Sequence, residues 1–166
     1  MDFLIFLAKI LNNVLFLSTL ASWLISQVAK LIYYSVKNNK FTFAYLTSSG
    51  GFPSSHSATT LGLTAIAAKA YGFDSPYFAI AFFVASVVLY DAVNVRAEAG
   101  RHAKILNDLF AKHPELAADA CDAAVARGEK LPEGIGHTLQ ETIVGALIGI
   151  GVALVFPVSL FPIINF

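Results

Sequence analysis

Three short polar clusters interrupt an otherwise apolar chain, and each holds residue types that can bind or attack phosphorus. In GGFPSSHSATT, residues 50–60, Gly50, Gly51 and Pro53 turn the chain sharply, and Ser54 or Ser55 can cap a helix that starts near His56. A helix start exposes unpaired amides carrying partial positive charge, which suits an anion such as phosphate, and glycines let the anion approach the backbone. In GIGHTLQETIVGALIGIG, His137 and Glu141 are four apart and share a helix face, with Gln140 beside them. A carboxylate bonded to one imidazole nitrogen fixes the tautomer and frees the other nitrogen as nucleophile or base. Thr138 as a helix cap and Glu141 as a solvated first-turn acid are the structural alternatives. In YDAVNVRAEAGRHAKILND, Asp91, Asn94, Glu98 and Arg101 recur at helical spacing as a polar stripe, bordered by His102. An acid within a membrane helix opposes insertion by roughly 2.5–3.5 kcal/mol at mid-membrane, so Asp91 is functional or is paired with Arg96, Arg101 or Lys30. Lys30 itself either snorkels to the interface or meets a phosphate or Asp91.

These clusters need apolar helices to position them. The chain of 166 residues is 57% hydrophobic and 13% charged, against about 45–50% apolar and about 25% charged in an average soluble domain. Lipid is therefore the expected solvent. Four stretches, about 11–36, 57–71, 77–95 and 139–156, approach the roughly 20 helical residues that cross a bilayer core. The second is short and carries Thr59, Thr60, Thr64 and Lys69, a composition that a buried soluble helix would share. DFLIFLAKILNN, ahead of the first span, reads as an amphipathic interfacial segment. Pro157 and Pro162 break regular structure at the end. Trp23, Tyr33 and Tyr34 fit lipid-facing or interfacial packing, and Gly145, Gly149 and Gly151 fit close helix packing.

If the spans alternate, Lys37, Lys40, Arg96, Arg101, Lys104, Lys112, Arg127 and Lys130 fall on one side, and Lys9 and Lys69 near the other. The positive-inside rule makes the basic side cytoplasmic, although a basic patch can also serve only to hold anionic headgroups. Residues 97–136 form a polar helical insert: the third helix runs on past the bilayer, Pro114 redirects it, a short helix follows around residues 116–127, and Gly128, Pro132 and Gly134 close it. His113 and Cys121 in the insert are assigned no role. With Cys121 the only cysteine, a disulfide scaffold is excluded, and zero net charge argues against nucleic acid. The expected fold is all-α, one membrane-embedded domain over 1–166 with about four transmembrane helices. Four short helices enclose little volume, which is compatible with a homodimer.

PSSHS resembles the Pro-Ser-Gly-His motif of the type-2 phosphatidic acid phosphatases and vanadium-dependent haloperoxidases, and HTLQE the His-x-x-x-Asp end of their third motif. SQVAK, GGFPSSHSATT, YDAVNVRAEAGRHAKILND and GHTLQETIVGALIG together resemble the divergent branch of that superfamily, small bacterial and plastid membrane proteins. The resemblance covers about residues 13–151. It implies a cofactor-free lipid phosphate phosphatase, with phosphatidylglycerophosphate, phosphatidate or a polyprenyl pyrophosphate as substrate, in the bacterial inner membrane or a plastid membrane. His137 would attack phosphorus, oriented by Glu141, and His56 would protonate the leaving alkoxide. Arg96, Arg101, Lys30 and the groups of Gly51, Ser54 and Ser55 would hold the phosphoryl oxygens, with Asp91, Asn94 and Glu98 in support. The sequence departs from the family pattern: Ser55 replaces the motif glycine, Glu141 replaces the aspartate, no Ser-Arg pair precedes His137, and the Lys-x6-Arg-Pro motif is missing. Two other readings compete. Asp91, Asn94, Glu98 and Glu141 could hold magnesium in a lipid-headgroup transferase, or the chain could be a non-catalytic scaffold that binds anionic lipid.

Overall fold

The computed structural model describes residues 2–46, 51–118 and 123–161, and every regular element among them is helical. Gly50, Cys121 and Pro162 lie outside the described residues. The elements are α1 (Asp2–Leu11), α2 (Val14–Lys37), a 3-10 turn (Phe43–Leu46), α3 (Ser55–Tyr71), α4 (Pro76–Tyr90), a π turn (Asp91–Val95), α5 (Arg96–Lys112), α6 (Pro114–Ala118), α7 (Ala123–Ala126), α8 (Leu139–Val155) and a 3-10 turn (Val158–Leu160).

Two helical runs are long and apolar enough to cross a membrane, α2 with 24 residues and the continuous run Pro76–Lys112 with 37. The 17-residue helices α3 and α8 fall short of the about 20 residues that span a bilayer core. Their placement accounts for their composition. α3 is the central helix, packed against α2, α4 and α8, so little of it needs to satisfy lipid. Thr64, Gly62, Ser57 and Ala58 are buried in that packing.

Small residues allow this close approach. On α2, Val14, Ser18, Ser22 and Ser26 recur every four residues and are buried. On α8, Gly145 and Gly149 face α3 so closely that a Cβ would run into the carbonyls of Ser54 and Ala58 respectively. A Cβ on Gly62 would lie 2.6 Å from the Ser22 hydroxyl. Gly151 faces open space and takes no part. Such small-residue interfaces are how helices associate where lipid removes the hydrophobic driving force. At the far end of α3, Lys69 Nζ donates to the carbonyls of Ala153, Leu154 and Phe156 at 3.2, 2.6 and 2.9 Å, capping α8 with the cation its C-terminus favours.

α1 exposes the large apolar side chains of residues 3–7 and carries Lys9 in its last turn. In the insert, helix begins at Pro114, two residues ahead of the expected 116, and the described parts of that stretch are α6 and α7.

Candidate active site

Local chemistry positions each histidine. Ser54 caps α3: its hydroxyl accepts from the Ser57 amide at 3.3 Å and from the Ser57 hydroxyl at 3.0 Å, which leaves His56 in the first turn. Thr138 caps α8 in a capping box with Glu141. The same Glu141 Oε2 that accepts the Thr138 amide at 2.9 Å lies 3.4 Å from His137 Nδ1. Capping and imidazole orientation are thus one arrangement, since the box fixes the carboxylate that the ring meets. The opposite nitrogen, His137 Nε2, faces His56 Nδ1 at 3.4 Å. Residues 81 positions apart in the chain thereby form one line from carboxylate to imidazole to imidazole. The Ser54 amide donates to the Glu141 carbonyl at 3.0 Å and pins the two helix starts together.

The π turn supplies the third support. Within it the Arg96 amide bonds the Asp91 carbonyl, five residues back, so the Ala92 carbonyl loses the donor that an α-helix would provide. That carbonyl accepts the His137 amide at 2.9 Å instead. The i→i+5 pattern also stacks Arg96 over Asp91, and their side chains pair at 2.6 Å. In an α-helix residues five apart lie roughly 140° apart around the axis, so this ion pair depends on the irregularity. Gly136, at φ 99°, sits directly on the Ala97 backbone, where a Cβ would lie 2.6 Å from its nitrogen. Gly100 similarly admits the carbonyls of Glu133 and Ile135. Asn107 grips the returning segment of the insert, donating to the Leu131 carbonyl and accepting from its amide, both at 2.9 Å.

His137 is 6% exposed. Burial pushes its pKa below the ordinary imidazole value; the hydrogen bond and charge of Glu141 oppose that shift, and Lys30 and Arg96 add to it. The neutral ring, with an available lone pair, is the form this environment favours. A cleft of about 490 Å³ opens beside it, lined among others by Tyr34, Gly51, Arg101, Lys104, Gly136 and Glu141.

The candidate residues therefore separate into groups. His56, His137 and Glu141 converge. Arg96 acts electrostatically on both histidines and is held by Asp91. Arg101 and Gly51 line the cleft, and Arg101 also pairs with Glu98 at 3.0 Å. Lys30 does not snorkel: it is 2% exposed inside the packed helices and within the field of Glu141. Ser54 is fully buried with its hydroxyl committed to Ser57, and Ser55 is buried beside it. The amides expected to cradle phosphate are partly spent, because Phe52 N–H donates to the Tyr34 hydroxyl at 3.2 Å and Ser54 N–H to Glu141. Asn94 is exposed and donates to the Tyr90 carbonyl, because the π turn breaks the even spacing assumed for the polar stripe. Asp91, Glu98 and Glu141 are each engaged with a different partner, and among the described residues no group of three or more His, Cys, Asp or Glu could hold a metal ion.

Sequence reasoning missed Tyr34 and Lys104 as cleft residues. Both carry a signal in their spacing: Tyr34 lies one helical turn beyond Lys30, and Lys104 continues the face of Ala97 and Arg101. The Ala92 carbonyl had no such signal.

A family model described as the divergent PAP2 family matches residues 11–152. The chain is 34% identical over 151 residues to the uncharacterized membrane protein YuiD of Bacillus subtilis (strain 168), covering 89% of this chain and 96% of that protein. No solved structure matches.

Proposed function

We propose that this chain, which belongs to the divergent PAP2 family, is a lipid phosphate phosphatase working through a phosphohistidine. The observation that carries the reading is the line Glu141–His137–His56, in which the ring held by the carboxylate turns its other nitrogen toward a second imidazole. His137 Nε2 gives its lone pair to phosphorus, and the phosphorus–oxygen ester bond breaks. The departing alkoxide takes a proton from His56. Water then attacks the phosphohistidine and gives one of its own protons to His56 as the phosphorus–nitrogen bond breaks, releasing phosphate and neutral His137. Arg96, Arg101 and Lys104 supply the positive charge that phosphoryl transfer requires around its equatorial oxygens.

The 3.4 Å between the two ring nitrogens is a resting contact. Attack across about 3–3.5 Å, followed by a proton donor about 2.6–3.2 Å beyond the leaving oxygen, needs the two nitrogens more than about 6 Å apart. Substrate must therefore part the rings, and His56, in the first turn of α3, is the ring placed to move.

Phosphatidate, phosphatidylglycerophosphate and polyprenyl pyrophosphates all present the required terminal phosphate. A bacterial inner membrane with the site on its cytoplasmic side accords with the basic residues gathered at that end and with the bacterial membrane relative. Phosphate release from these purified lipids is the test. Vanadate, which mimics five-coordinate phosphorus, should inhibit, and chelators should not. The His137→Asn variant should insert and fold yet lose at least about 10³-fold in kcat. Chelator-sensitive turnover restored by magnesium, or a folded His137→Asn protein with full activity, would refute the reading.

A further inference from the structure

A second cavity, about 330 Å³, lies between α2 and α3 and is lined by apolar surface, with Phe16, Thr19 and Trp23 on one wall and Thr59 and Leu63 on the other. We propose that it holds the hydrocarbon chain of the leaving lipid alcohol. The inference rests on the phosphatase reading and extends it to how the substrate lies.

Three observations point the same way. His56, Thr59 and Leu63 are spaced by three and four residues and share one face of α3. The cavity thus begins about 4.5 Å and reaches about 10.5 Å along the helix axis from His56. It opens sideways between Phe16, Leu20 and Trp23, which are 47%, 37% and 41% exposed on a helix long enough to cross a membrane. The cationic cleft, lined by Arg101 and Lys104 of α5, also takes in His137, whose ring meets that of His56, and the apolar cavity starts one turn of α3 beyond His56. One amphiphile fits both. In-line displacement puts the departing oxygen opposite His137, on the side of His56, and a chain attached to that oxygen continues down the α3 face into the cavity. The selected substrate is then a long-chain ester whose phosphate is terminal, and a water-soluble phosphomonoester would use half of the site.

Trp23 is the chain's single tryptophan and reports on the cavity without turnover. In detergent micelles, a non-hydrolysable alkyl phosphonate brominated along its chain should quench Trp23 at a mole fraction at least about tenfold lower than a phosphocholine lipid with the same brominated chain, the size of effect a filled apolar pocket gives. Thr59→Phe, which fills the cavity, should abolish that preference. It should also lower the ratio of kcat/KM for dioleoyl over dibutyryl phosphatidate by at least about tenfold, and Leu20→Phe on the cavity rim provides a second variant if the first does not fold. Equal quenching by both headgroups, or an unchanged chain-length ratio in the folded variants, overturns the proposal. Headgroup-selective quenching with no phosphate release from any substrate would instead retain the chain site and overturn the hydrolytic reading.

Discussion

Of two glycines in one loop, only one should be sensitive to the same substitution. Gly136 has φ 99°, and a Cβ there would lie 2.6 Å from Ala97 N and 2.9 Å from Ala97 Cα. Gly134, two positions earlier, would meet nothing within 4 Å. In Gly136→Ala, the loop must lift from 2.6 Å toward the 3.4 Å of ordinary contact, a displacement of about 0.8 Å, and the backbone strain adds of order 1–3 kcal/mol. The next residue is His137, whose amide is tied to Ala92 by a 2.9 Å hydrogen bond. Misplacing a reacting group by about 1 Å can cost about 10²-fold in rate. The expected result is a loss of that order in kcat for Gly136→Ala, with a lower unfolding temperature, and neither effect for Gly134→Ala. The assay is phosphate release from a lipid phosphate by both purified variants beside thermal unfolding in detergent. A folded Gly136→Ala protein with parental kcat, or equal damage from both substitutions, would show that the seat of Gly136 on Ala97 does not set the position of His137, the proposed nucleophile.

Glu141→Gln preserves the capping box but removes the charge that opposes the effect of burial on His137. The His137 pKa should fall further, so the acid limb of kcat/KM should move to lower pH while the rate drops about 10²–10⁴-fold; a limb moving to higher pH would contradict the assignment. Lys69→Met removes the donor to three carbonyls at the end of α8, which should cost about 1–3 kcal/mol in thermal or denaturant unfolding. Because Lys69 is 13 residues from His56 along α3, about 20 Å, kcat should not change. Asn107→Leu loses both hydrogen bonds to Leu131, and amide exchange over residues 129–136 should quicken at least about tenfold.

What the sequence disclosed was chiefly what one helical turn can determine. The Ser54 cap, the Thr138 cap and the shared face of His137 and Glu141 follow from spacings of three or four. The Asp91 to Arg96 pairing was readable as a choice among cations, but not the π turn that brings the two together. Arrangements made across the chain were less legible. Thr59, Thr60 and Thr64 left α3 ambiguous because its central position, walled by α2, α4 and α8, is a tertiary property. For the same reason the Phe52 and Ser54 amides looked available for phosphate, although Tyr34 and Glu141 accept from them. Lys30 appeared free to snorkel until its burial among the helices was known. The segments that carry the family resemblance all fall within the 11–152 region matched by the divergent PAP2 family.

The way the site is built also bears on how its motifs could diverge. His137 is held by a backbone bond to Ala92, by a carboxylate that simultaneously caps α8, and by a loop seated against the Ala97 backbone through Gly136. The α3 start is joined to α8 through the Ser54 amide and the Glu141 carbonyl. Most of these anchors are main-chain groups, which any residue except proline can supply in full. Replacing a motif glycine by Ser55 leaves them intact, and extending an aspartate to Glu141 permits the reach from the Thr138 amide to His137 Nδ1. The demanding positions are therefore the ones where a side chain would obstruct the backbone, Gly100, Gly136, Gly145 and Gly149. Departure from the motif letters follows physically from a site whose geometry is set by close main-chain contact and whose proposed chemistry needs only two imidazoles and one carboxylate.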